Sequence, residues 1–567
     1  MLRRRLRLPL MALGSFDRAT NLAALANTSF DVLVVGGGIT GCGVALDAAS
    51  RGLRTALVER DDFASGTSSK SSKLVHGGLR YLQNGDIRLV YEALRERQRL
   101  RHNAPHLVRL LPFLIPIFSK DGLINPKVAR ALGSAMWMYD LTGGARIGKL
   151  HKRLKKDKAV EHMPTLPVDR LAGAYLYYDA AADDARLTLT LARTAALDHG
   201  AVIANHTTVV ELLHEGGRAV GAVVEADGQR IEVRARSVVN ATGVWSDDVR
   251  ALDEGGNPDS IRPAKGIHIT VPWAKVRNDI AVVVPVPKDK RSVFVVPWLP
   301  TDDGGFQLTY IGTTDTDYDG PVDDPQCTPD DVAYLLRAIN AAVADPLTDA
   351  DVVGTWAGLR PLVKAATSGR TADLSRRHKV SVSEHGVVTV TGGKLTTYRE
   401  MAEDTVDTLV GHLDGLPRSA RKSRTAKLRL RGAQAVDPKA TGRGRHLADR
   451  FGTEARVVQA LIDTDALLGE PLVPGLPYLK AEAIYAVRHE MATTVDDVLA
   501  RRTRARLQAR DETATVAEAV ARLIGPELGW SADDAAREAA DYGALVTAER
   551  TAPGLPNRGA IPQEMTP

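Results

Sequence analysis

The chain has 567 residues, with 74 basic and 69 acidic side chains and a net charge of +5 at pH 7. This length allows about two to four domains. The small positive charge is spread over a large surface and does not by itself indicate nucleic-acid binding. Two cysteines exclude a disulfide framework and fit a reducing cytoplasm. The best apolar run, residues 110–118, is too short to span a bilayer.

The first residues, MLRRRLRLPLMALG, imitate a signal peptide because basic residues precede an apolar stretch. The apolar part is short, is interrupted by Pro9 and has no convincing cleavage site. We therefore expect residues 1–29 to form a disordered N-terminal tail.

Residues 30–59 have the pattern of a β-α-β unit, in which Gly36, Gly38 and Gly41 follow the apolar strand DVLVV with the spacing G-x-G-x-x-G. The first glycine permits a tight turn, the second lets the backbone approach a pyrophosphate, and the third lets helix and strand pack closely. The helix N-terminus offers free N–H groups to phosphates. Glu59 ends the second strand, where a carboxylate accepts hydrogen bonds from ribose hydroxyls. The unit therefore predicts a dinucleotide site.

Two further glycine turns, far along the chain, indicate that this dinucleotide is long. Thr242 and Gly243 follow one strand, and Gly392 and Gly393 follow another, VVTVT. An N-terminal and a C-terminal segment would then lie along one cofactor, which favours FAD over NAD. The second turn precedes a helix that begins at Lys394. The N-terminus of this helix favours the anion of a reduced flavin.

The remaining chain divides by its periodicity. A polar loop, ASGTSSKSSK, follows the β-α-β unit, residues 87–109 have a helical pattern, and residues 207–247 and 268–315 have mostly strand patterns. The basic stretch RSARKSRTAKLRLR predicts a linker before a helical region. We expect a main unit over 30–410, a basic linker over 411–431, a helical C-terminal domain over 432–550 and a disordered tail over 551–567. No C-x-x-C pair or histidine cluster indicates a metal site.

Six stretches of the chain are distinctive when taken together. They are SSKSSKLVHGGLRYL, KGIHITVP, YIGTTDTDY, AGLRPL, VTGGKLTTYR and YAVRHEMATTVDDVLARRTR. The chain resembles, over about residues 17–550, the FAD-dependent glycerol-3-phosphate dehydrogenases of the aerobic, membrane-associated type.

The resemblance implies an α/β fold shared with glycine and D-amino-acid oxidases. In it a Rossmann-like FAD-binding domain is interleaved with an antiparallel-sheet substrate domain, and an all-α C-terminal domain follows. The implied reaction is oxidation of sn-glycerol 3-phosphate to dihydroxyacetone phosphate, with electrons passing through FAD to membrane quinone.

A phosphorylated polyol requires fixed cations in its site. Arg80, Arg360 and Lys394 each lie beside glycines or at a strand end, where a cleft can form. Arginine offers a planar fork to phosphate oxygens, and lysine a point charge. The resemblance implies that all three lie near the substrate, with Tyr81 and Thr313 as hydroxyl contacts.

Oxidation of an alcohol by hydride transfer also requires a group that takes the hydroxyl proton, and a neutral imidazole suits this role near pH 7. His268 lies in the alternating stretch GIHITV. The residues alone favour a half-buried histidine bonded to backbone, whereas the resemblance makes His268 the first catalytic candidate. His76 is the second, nearer to the flavin. Arg360 stays protonated, so its catalytic role would be to stabilise the developing alkoxide.

The polar loop contains five serines and one threonine over residues 65–73, and such a loop can donate to a flavin pyrophosphate and ring edge. The residues that we expect to bind the cofactor are Gly36, Gly38, Gly41, Glu59, Arg60, Ser65, Thr67, Ser68, Ser71, Ser72, Val209, Thr242, Gly243, Gly393, Lys394 and Thr396.

Two basic stretches suit an interfacial patch on an anionic leaflet, namely YEALRERQRLRHNAPHLVRL with the LPFLIPIF that follows it, and VLARRTRARLQAR. A solvated basic helix face is the alternative for both. The resemblance favours a cytoplasmic enzyme attached peripherally to the inner face of the membrane. Its expected partners are glycerol 3-phosphate and membrane quinone, and a homodimer is left open.

Three other functions compete with a quinone-linked dehydrogenase. The first is an oxidase of the same fold that uses oxygen and makes hydrogen peroxide. The second is an NAD-linked reductase that uses only the first β-α-β unit. The third is a binding protein whose basic linker grips nucleic acid, but that linker lacks interleaved aromatic residues, so we expect no nucleic-acid partner.

Overall fold

A computed structural model describes residues 15–79, 87–118, 133–134, 136–140, 149–287, 289, 291–364, 378–434 and 440–557. The helices are α1 Arg18–Asn27, α2 Ile39–Ser50, α3 Ile87–Asn103, α4 Lys156–His162, α5 Asp184–His199, α6 Ser246–Glu254, α7 Pro329–Asn340, α8 Tyr398–Gly411, α9 Gly442–Phe451, α10 Ala455–Thr464, α11 Lys480–Glu490, α12 Ala505–Gln508, α13 Arg510–Leu528 and α14 Ala532–Thr551. A π-helical segment spans Asp497–Arg502.

The strands are β1 Ser29–Phe30, β2 Val32–Val35, β3 Thr55–Val58, β4 Leu74–Val75, β5 Val108–Phe118, β6 Lys152–Leu154, β7 Leu171–Ala182, β8 Val202–Ala204, β9 Thr208–Glu215, β10 Arg218–Ala226, β11 Gln229–Ala235, β12 Val238–Asn240, β13 Ile261–Pro272, β14 Ala281–Pro285, β15 Ser292–Pro300, β16 Phe306–Gly312, β17 Thr316–Asp317, β18 Gly354–Val363, β19 Lys379–Val382 and β20 Val388–Thr391.

The first sheet has the order β19-β20-β12-β2-β3-β8, and all its pairs are parallel except β19 with β20. Its central strands β12, β2 and β3 are fully buried because helices cover the sheet. Gly41 in α2 is required by this packing, since a Cβ there would lie 1.9 Å from the carbonyl oxygen of Gly36. The predicted β-α-β unit is therefore confirmed.

The large sheet has the order β17-β13-β16-β15-β14-β5-β7-β4, and β18 pairs with β13. The antiparallel register of β13 and β18 places His268 opposite Trp356 and Ala264 opposite Arg360. A smaller sheet has the order β1-β11-β10-β9. The chain passes from the first sheet to the large sheet and back more than once, so the two domains are interleaved and the predicted fold class is confirmed.

The C-terminal helices from α9 to α14 pack around apolar clusters of their own. They join the rest of the molecule through buried ion pairs. The Arg502 guanidinium donates to both oxygens of Asp62, at 2.6 and 2.7 Å, and Arg501 Nε donates to the same carboxylate at 2.7 Å. Arg186 in α5 pairs with Glu490 in α11.

The apolar part of the first stretch and the arginines of the second differ from the expected interfacial patch. Residues 113–118 are buried in β5, where they pair with β7, because their apolar side chains fill the large sheet's two faces. In the second stretch Arg502, Arg504 and Arg510 are almost fully buried. Acids from distant segments surround these arginines, so this stretch is not a solvated or membrane-facing surface.

The structure also shows order in two stretches that sequence reasoning treats as tail and linker. Helix α1 lies within residues 1–29, and its buried Leu25 packs against strands of the smaller sheet. In the basic stretch, Ala420 and Leu430 are buried, while Arg431 pairs with Asp198 and Glu454. Buried side chains at these positions fix the backbone of segments that composition alone predicts to be exposed.

We expect the change Asp62→Ala to lower the free energy of unfolding by about 3–5 kcal/mol, because it leaves the buried Arg502 without its carboxylate. Chemical denaturation followed by far-UV circular dichroism measures this. The matched control is Glu211→Ala, which removes an exposed pair with Arg230 at side-chain exposures of 59% and 59%; that loss should stay below about 1 kcal/mol. Equal effects of the two changes would contradict a structural role for Asp62.

Candidate cofactor and substrate site

A cavity of about 380 Å³ lies at the carboxyl ends of the first sheet's strands. Ligands bind at this edge in open parallel sheets, because loops and helix N-termini meet there. Most of the residues predicted to bind the cofactor line this cavity: Gly36, Gly38, Glu59, Arg60, Ser65, Thr67, Ser68, Ser71, Val209, Thr242, Gly243, Gly393 and Lys394.

The first glycine turn forms one end of the cavity. Gly36 has a φ of 108°, and a Cβ there would lie 2.8 Å from the Ala241 carbonyl oxygen. Gly38 precedes α2, whose first N–H, on Ile39, donates to Ser68 Oγ at 2.8 Å. The glycine backbone leaves room for a pyrophosphate, and the helix N-terminus supplies N–H groups that can bind it. Gly41 lies behind the turn and acts through packing.

Glu59 lies at the end of β3, where its carboxylate accepts hydrogen bonds from the N–H groups of Gly37 at 2.5 Å and Asp61 at 2.9 Å. Loss of solvent around the carboxyl raises the pKa of Glu59 to about 7, against the opposing effect of these two hydrogen bonds. The group is thus poised to lose its proton when hydroxyl donors arrive.

Arg60 and Trp245 form the mouth of the cavity. The Arg60 guanidinium lies 5.0 Å from the centre of the Trp245 ring. Both side chains donate to Asp323 Oδ1 at 2.8 Å. Sequence reasoning missed Trp245, although it stands two residues after the predicted turn at Gly243. Thr242 is oriented by its hydroxyl and N–H, which donate to Asn240 Oδ1 at 2.7 and 3.3 Å.

The second glycine turn closes the far wall. Gly392 and Gly393 have φ values of 75° and 81°, a conformation that glycine adopts without strain. A Cβ on Gly393 would lie 2.3 Å from Met401 Sδ. Lys394 lines the cavity, whereas the buried Thr396 instead accepts from the His76 N–H at 3.2 Å. The half-buried His76 is thus held beside the start of α8.

The neighbouring face of the large sheet carries the predicted substrate residues. Alternate residues of a strand share one face, so Gly266 and His268 on β13 lie with Gly358 and Arg360 on β18. A Cβ on Gly266 would lie 2.4 Å from Arg360 Nη2, and one on Gly358 would lie 2.6 Å from the Lys70 carbonyl oxygen. These glycines make room for the arginine and for the polar loop over residues 65–73, called the serine-rich loop below.

Arg360 is held in one orientation by the segment after β16. Its Nη2 donates to Thr313 Oγ1 at 3.2 Å and to the Thr314 carbonyl at 3.1 Å, and its Nη1 pairs with Asp315 at 3.1 Å. About a quarter of the side chain is exposed, at 25%. Pro361, the next residue, lines the cofactor cavity, so Arg360 lies at the boundary between cavity and sheet face.

His268 is buried beneath the serine-rich loop. Its Nε2 lies 2.9 Å from Ser72 Oγ, and its ring stacks on Trp356 at 4.6 Å and 8°. Among the described residues, Nδ1 has no hydrogen-bond partner. Burial, with smaller effects from the charges of Lys73 and Arg360, holds the pKa of His268 well below its usual value, so the imidazole is neutral. Ser72 therefore contacts His268 directly.

Arg80 and Tyr81 lie outside the described residues. Of the other predicted substrate and catalytic groups, the structure places Arg360 and His268 on the large sheet, Thr313 in the segment after β16 and Lys394 on the cavity wall. Sequence reasoning missed Trp356, although it is four residues before Arg360 and so shares its face. It also missed Lys73 and Asp184, for which no sequence signal exists.

The donor set suits FAD. A glycine cradle at one end, a carboxylate after β3, hydroxyls along the serine-rich loop and a second glycine turn follow one another around a single cavity. A dinucleotide with two phosphates and a ribose matches this order of groups. The fold and this cavity define a dinucleotide-dependent oxidoreductase with an adjoining substrate sheet.

Comparison with known proteins specifies the class further. Residues 31–399 match the family of FAD dependent oxidoreductases, and residues 422–535 match the C-terminal domain of alpha-glycerophosphate oxidase. The chain is 42% identical to glycerol-3-phosphate dehydrogenase 2 of Mycobacterium bovis over 557 residues, which cover 95% of this chain and 92% of the relative.

Solved structures agree. Glycerol-3-phosphate dehydrogenase from Bacillus halodurans, complexed with FAD, matches with a TM-score of 0.73 and 30% identity over 96% of this chain and 98% of the other. Glycine oxidase from Geobacillus kaustophilus shares the fold, with a TM-score of 0.50 and 22% identity over 70% of this chain and 98% of the other. The chain therefore belongs to the FAD-dependent glycerol-3-phosphate dehydrogenase family. The predicted family and the predicted cofactor, FAD, are confirmed.

We expect FAD to bind the deflavinated protein more tightly as pH rises toward about 7, and the affinity to level off above that. The free carboxyl of Glu59 is protonated below its raised pKa of about 7, whereas ribose hydroxyls donate best to the charged form. The change Glu59→Gln should weaken binding about tenfold at pH 8 and remove the pH dependence. Fluorescence titration with FAD measures both effects.

The matched control is Glu518→Gln, which alters an exposed carboxylate paired with Arg522 at side-chain exposures of 63% and 74%. This variant should keep the wild-type pH profile. If the affinity of the wild-type protein for FAD does not change with pH, the role given to Glu59 is wrong.

Proposed function

We propose that the protein oxidises sn-glycerol 3-phosphate to dihydroxyacetone phosphate and passes the electrons to a membrane quinone. The observation that carries this proposal is that the cofactor cavity adjoins a sheet face bearing Arg360 and His268, with Thr313 bound to Arg360. FAD, when bound, supplies the acceptor for the hydride of the secondary alcohol. The relatives named glycerol-3-phosphate dehydrogenase support the substrate.

Arg360 and Lys394 would bind the phosphate group. Arginine presents two parallel N–H donors to phosphate oxygens, and the pair with Asp315 fixes the plane of that fork. Lys394 adds a second cation from the cavity wall. Two cations from different domains balance a dianion better than either does alone, and they orient the substrate between the sheet face and the cofactor.

His268 would accept the hydroxyl proton, and Ser72 Oγ at 2.9 Å from its Nε2 would relay it. Its low pKa keeps the imidazole neutral and therefore able to accept a proton at pH 7. The same low pKa makes it a weak base, which keeps His76 as the second candidate. Arg360 would stabilise the negative charge that develops on the substrate oxygen.

The membrane association is part of the same proposal. At the start of α3, Ile87 and Tyr91 are 48% and 41% exposed, and Trp137 is 57% exposed. Exposed apolar and aromatic side chains on a chain with a pI near 9.0 suit peripheral attachment to the anionic inner face of the membrane. Within the described ranges, no helix has the length and apolar content that crossing a bilayer requires.

A second candidate acceptor is oxygen, with hydrogen peroxide as the product. The observation that favours it is the match of residues 422–535 to the C-terminal domain of alpha-glycerophosphate oxidase. Both candidates share the same reductive half-reaction, and they differ in what reoxidises the flavin.

We expect glycerol 3-phosphate to bleach the flavin absorbance of the purified protein under anaerobic conditions, and glycerol at equal concentration to leave it unchanged. The reason is that Arg360 and Lys394 select the phosphate group. A short-chain quinone should then restore the absorbance much faster than air does. Bleaching by both polyols would overturn the substrate assignment, and faster recovery in air with peroxide release would make the protein an oxidase.

We expect Arg360→Ala to raise the KM for glycerol 3-phosphate roughly 10- to 100-fold, because hydrogen bonds to a charged group contribute about 1.5–3 kcal/mol. The flavin content should stay unchanged. Steady-state kinetics and the ratio of flavin to protein absorbance measure these quantities.

Arg262→Ala is the matched control, because Arg262 lies on the adjoining strand β13 and pairs with Asp317 in the same manner. Its KM should remain at the wild-type value. If Arg360→Ala and Arg262→Ala behave alike, Arg360 does not bind the phosphate.

A further inference from the structure

Three potential metal ligands meet on the surface of the smaller sheet, away from the cofactor cavity. His214 lies near the end of β9, Asp253 in the last turn of α6, and His385 in the turn between β19 and β20. His214 Nε2 lies 3.1 Å and His385 Nδ1 lies 3.2 Å from the same oxygen, Asp253 Oδ1. One ligand atom from each residue falls within 4.8 Å of the others.

The two separations from Asp253 Oδ1 fit a tetrahedral ion. Zinc binds imidazole nitrogen and carboxylate oxygen at about 2.0–2.1 Å. Two ligand atoms at this distance and at a tetrahedral angle are about 3.3 Å apart, close to the 3.1 and 3.2 Å found here. Two histidines and one carboxylate form a recognised zinc ligand set, with a water in the fourth position.

The carboxylate itself lacks a complete set of partners. The Asp253 side chain is 1% exposed, and its Oδ2 has no hydrogen-bond partner among the described residues. Both imidazoles converge on Oδ1 instead of sharing the two oxygens. A buried carboxylate oxygen without a partner is costly, and a divalent cation next to the group would offset that cost. The imidazoles are 30% and 34% exposed, so water can reach the site.

A second cluster of the same residue types shows what distinguishes a candidate site. Asp62, His206 and Asp497 also lie within reach of one another. Their carboxylates are already neutralised by the guanidinium groups of Arg501 and Arg502. Those cations already balance the carboxylate charge that a metal ion would need. Among the described residues, no salt bridge joins Asp253 to an arginine or a lysine.

We propose that His214, Asp253 and His385 bind a divalent metal ion of the zinc class, with water completing a tetrahedral set. The ion would connect β9, α6 and the β19–β20 hairpin. The first two elements also contribute Val209 and Leu252 to the wall of the cofactor cavity. None of the three ligands lines that cavity, so the role of the ion is structural: it would stabilise the wall of the cavity.

The test uses untagged, flavin-loaded protein that is stripped with a chelator, dialysed, incubated with zinc sulfate and passed over a desalting column. Elemental analysis should then find about one zinc ion per chain, and zinc should raise the thermal unfolding temperature. His385→Ala and Asp253→Asn should each bind zinc at least about tenfold more weakly and lose the thermal shift. Zinc-edge X-ray absorption should show two imidazole ligands.

The matched control is His162→Ala, because His162 forms a histidine–aspartate pair with Asp279 at 2.9 Å to which the described residues add no third candidate ligand. This variant should bind zinc like the wild-type protein. His385→Gln keeps a polar side chain and serves if the alanine variant does not fold. Wild-type protein that retains no more zinc than the Asp253→Asn variant would overturn the proposal and leave an aspartate bridging two histidines.

Discussion

One buried carboxylate, Asp184, holds together the parts from which the site is built. It is the first residue of α5 and is 0% exposed. It accepts hydrogen bonds from the N–H and hydroxyl of Ser71 at 3.1 and 2.7 Å, from Lys73 Nζ at 3.3 Å and from Arg504 Nη2 at 3.1 Å. The serine-rich loop and the C-terminal domain are therefore both bound to the same carboxylate at the start of α5. Such a network fixes geometry more than it adds stability, because each buried ion loses its water.

The position of this loop determines both halves of the site. Ser71 lines the cofactor cavity, and its carbonyl accepts from Trp356 Nε1 at 3.2 Å on the large sheet. The carbonyl of Ser72 accepts from the Tyr310 hydroxyl at 3.0 Å, while its own hydroxyl meets His268. A shift of the loop would thus move the cofactor's donors and the imidazole together. The loop therefore links the cavity and the substrate face, although different sheets supply them.

Sequence reasoning succeeded where the determinants are local or periodic. The turn from Gly36 to Gly41 and the acid Glu59 are set by one β-α-β unit, and alternation placed His268 on one face of a strand. Sequence reasoning failed where a residue's environment is set by residues distant in the chain. The pairing of His268 with Trp356 depends on the register of two strands, and the burial of Arg502 depends on Asp62, which is 440 positions away. An arginine-rich stretch is predicted to be exposed to solvent when the carboxylates that pair with it in the folded chain are not known.

The C-terminal domain has an electrostatic consequence for cofactor binding. Asp62 and Asp184 flank the serine-rich loop, and without partners their negative charges would repel a pyrophosphate. Arg501 and Arg502 pair with the first, and Arg504 with the second. Burial lowers and the surrounding acids raise the pKa of Arg501 and Arg502, and the net direction is upward, so these side chains stay charged. The helical domain therefore supplies the countercharge that lets an acid-anchored loop accept an anionic cofactor.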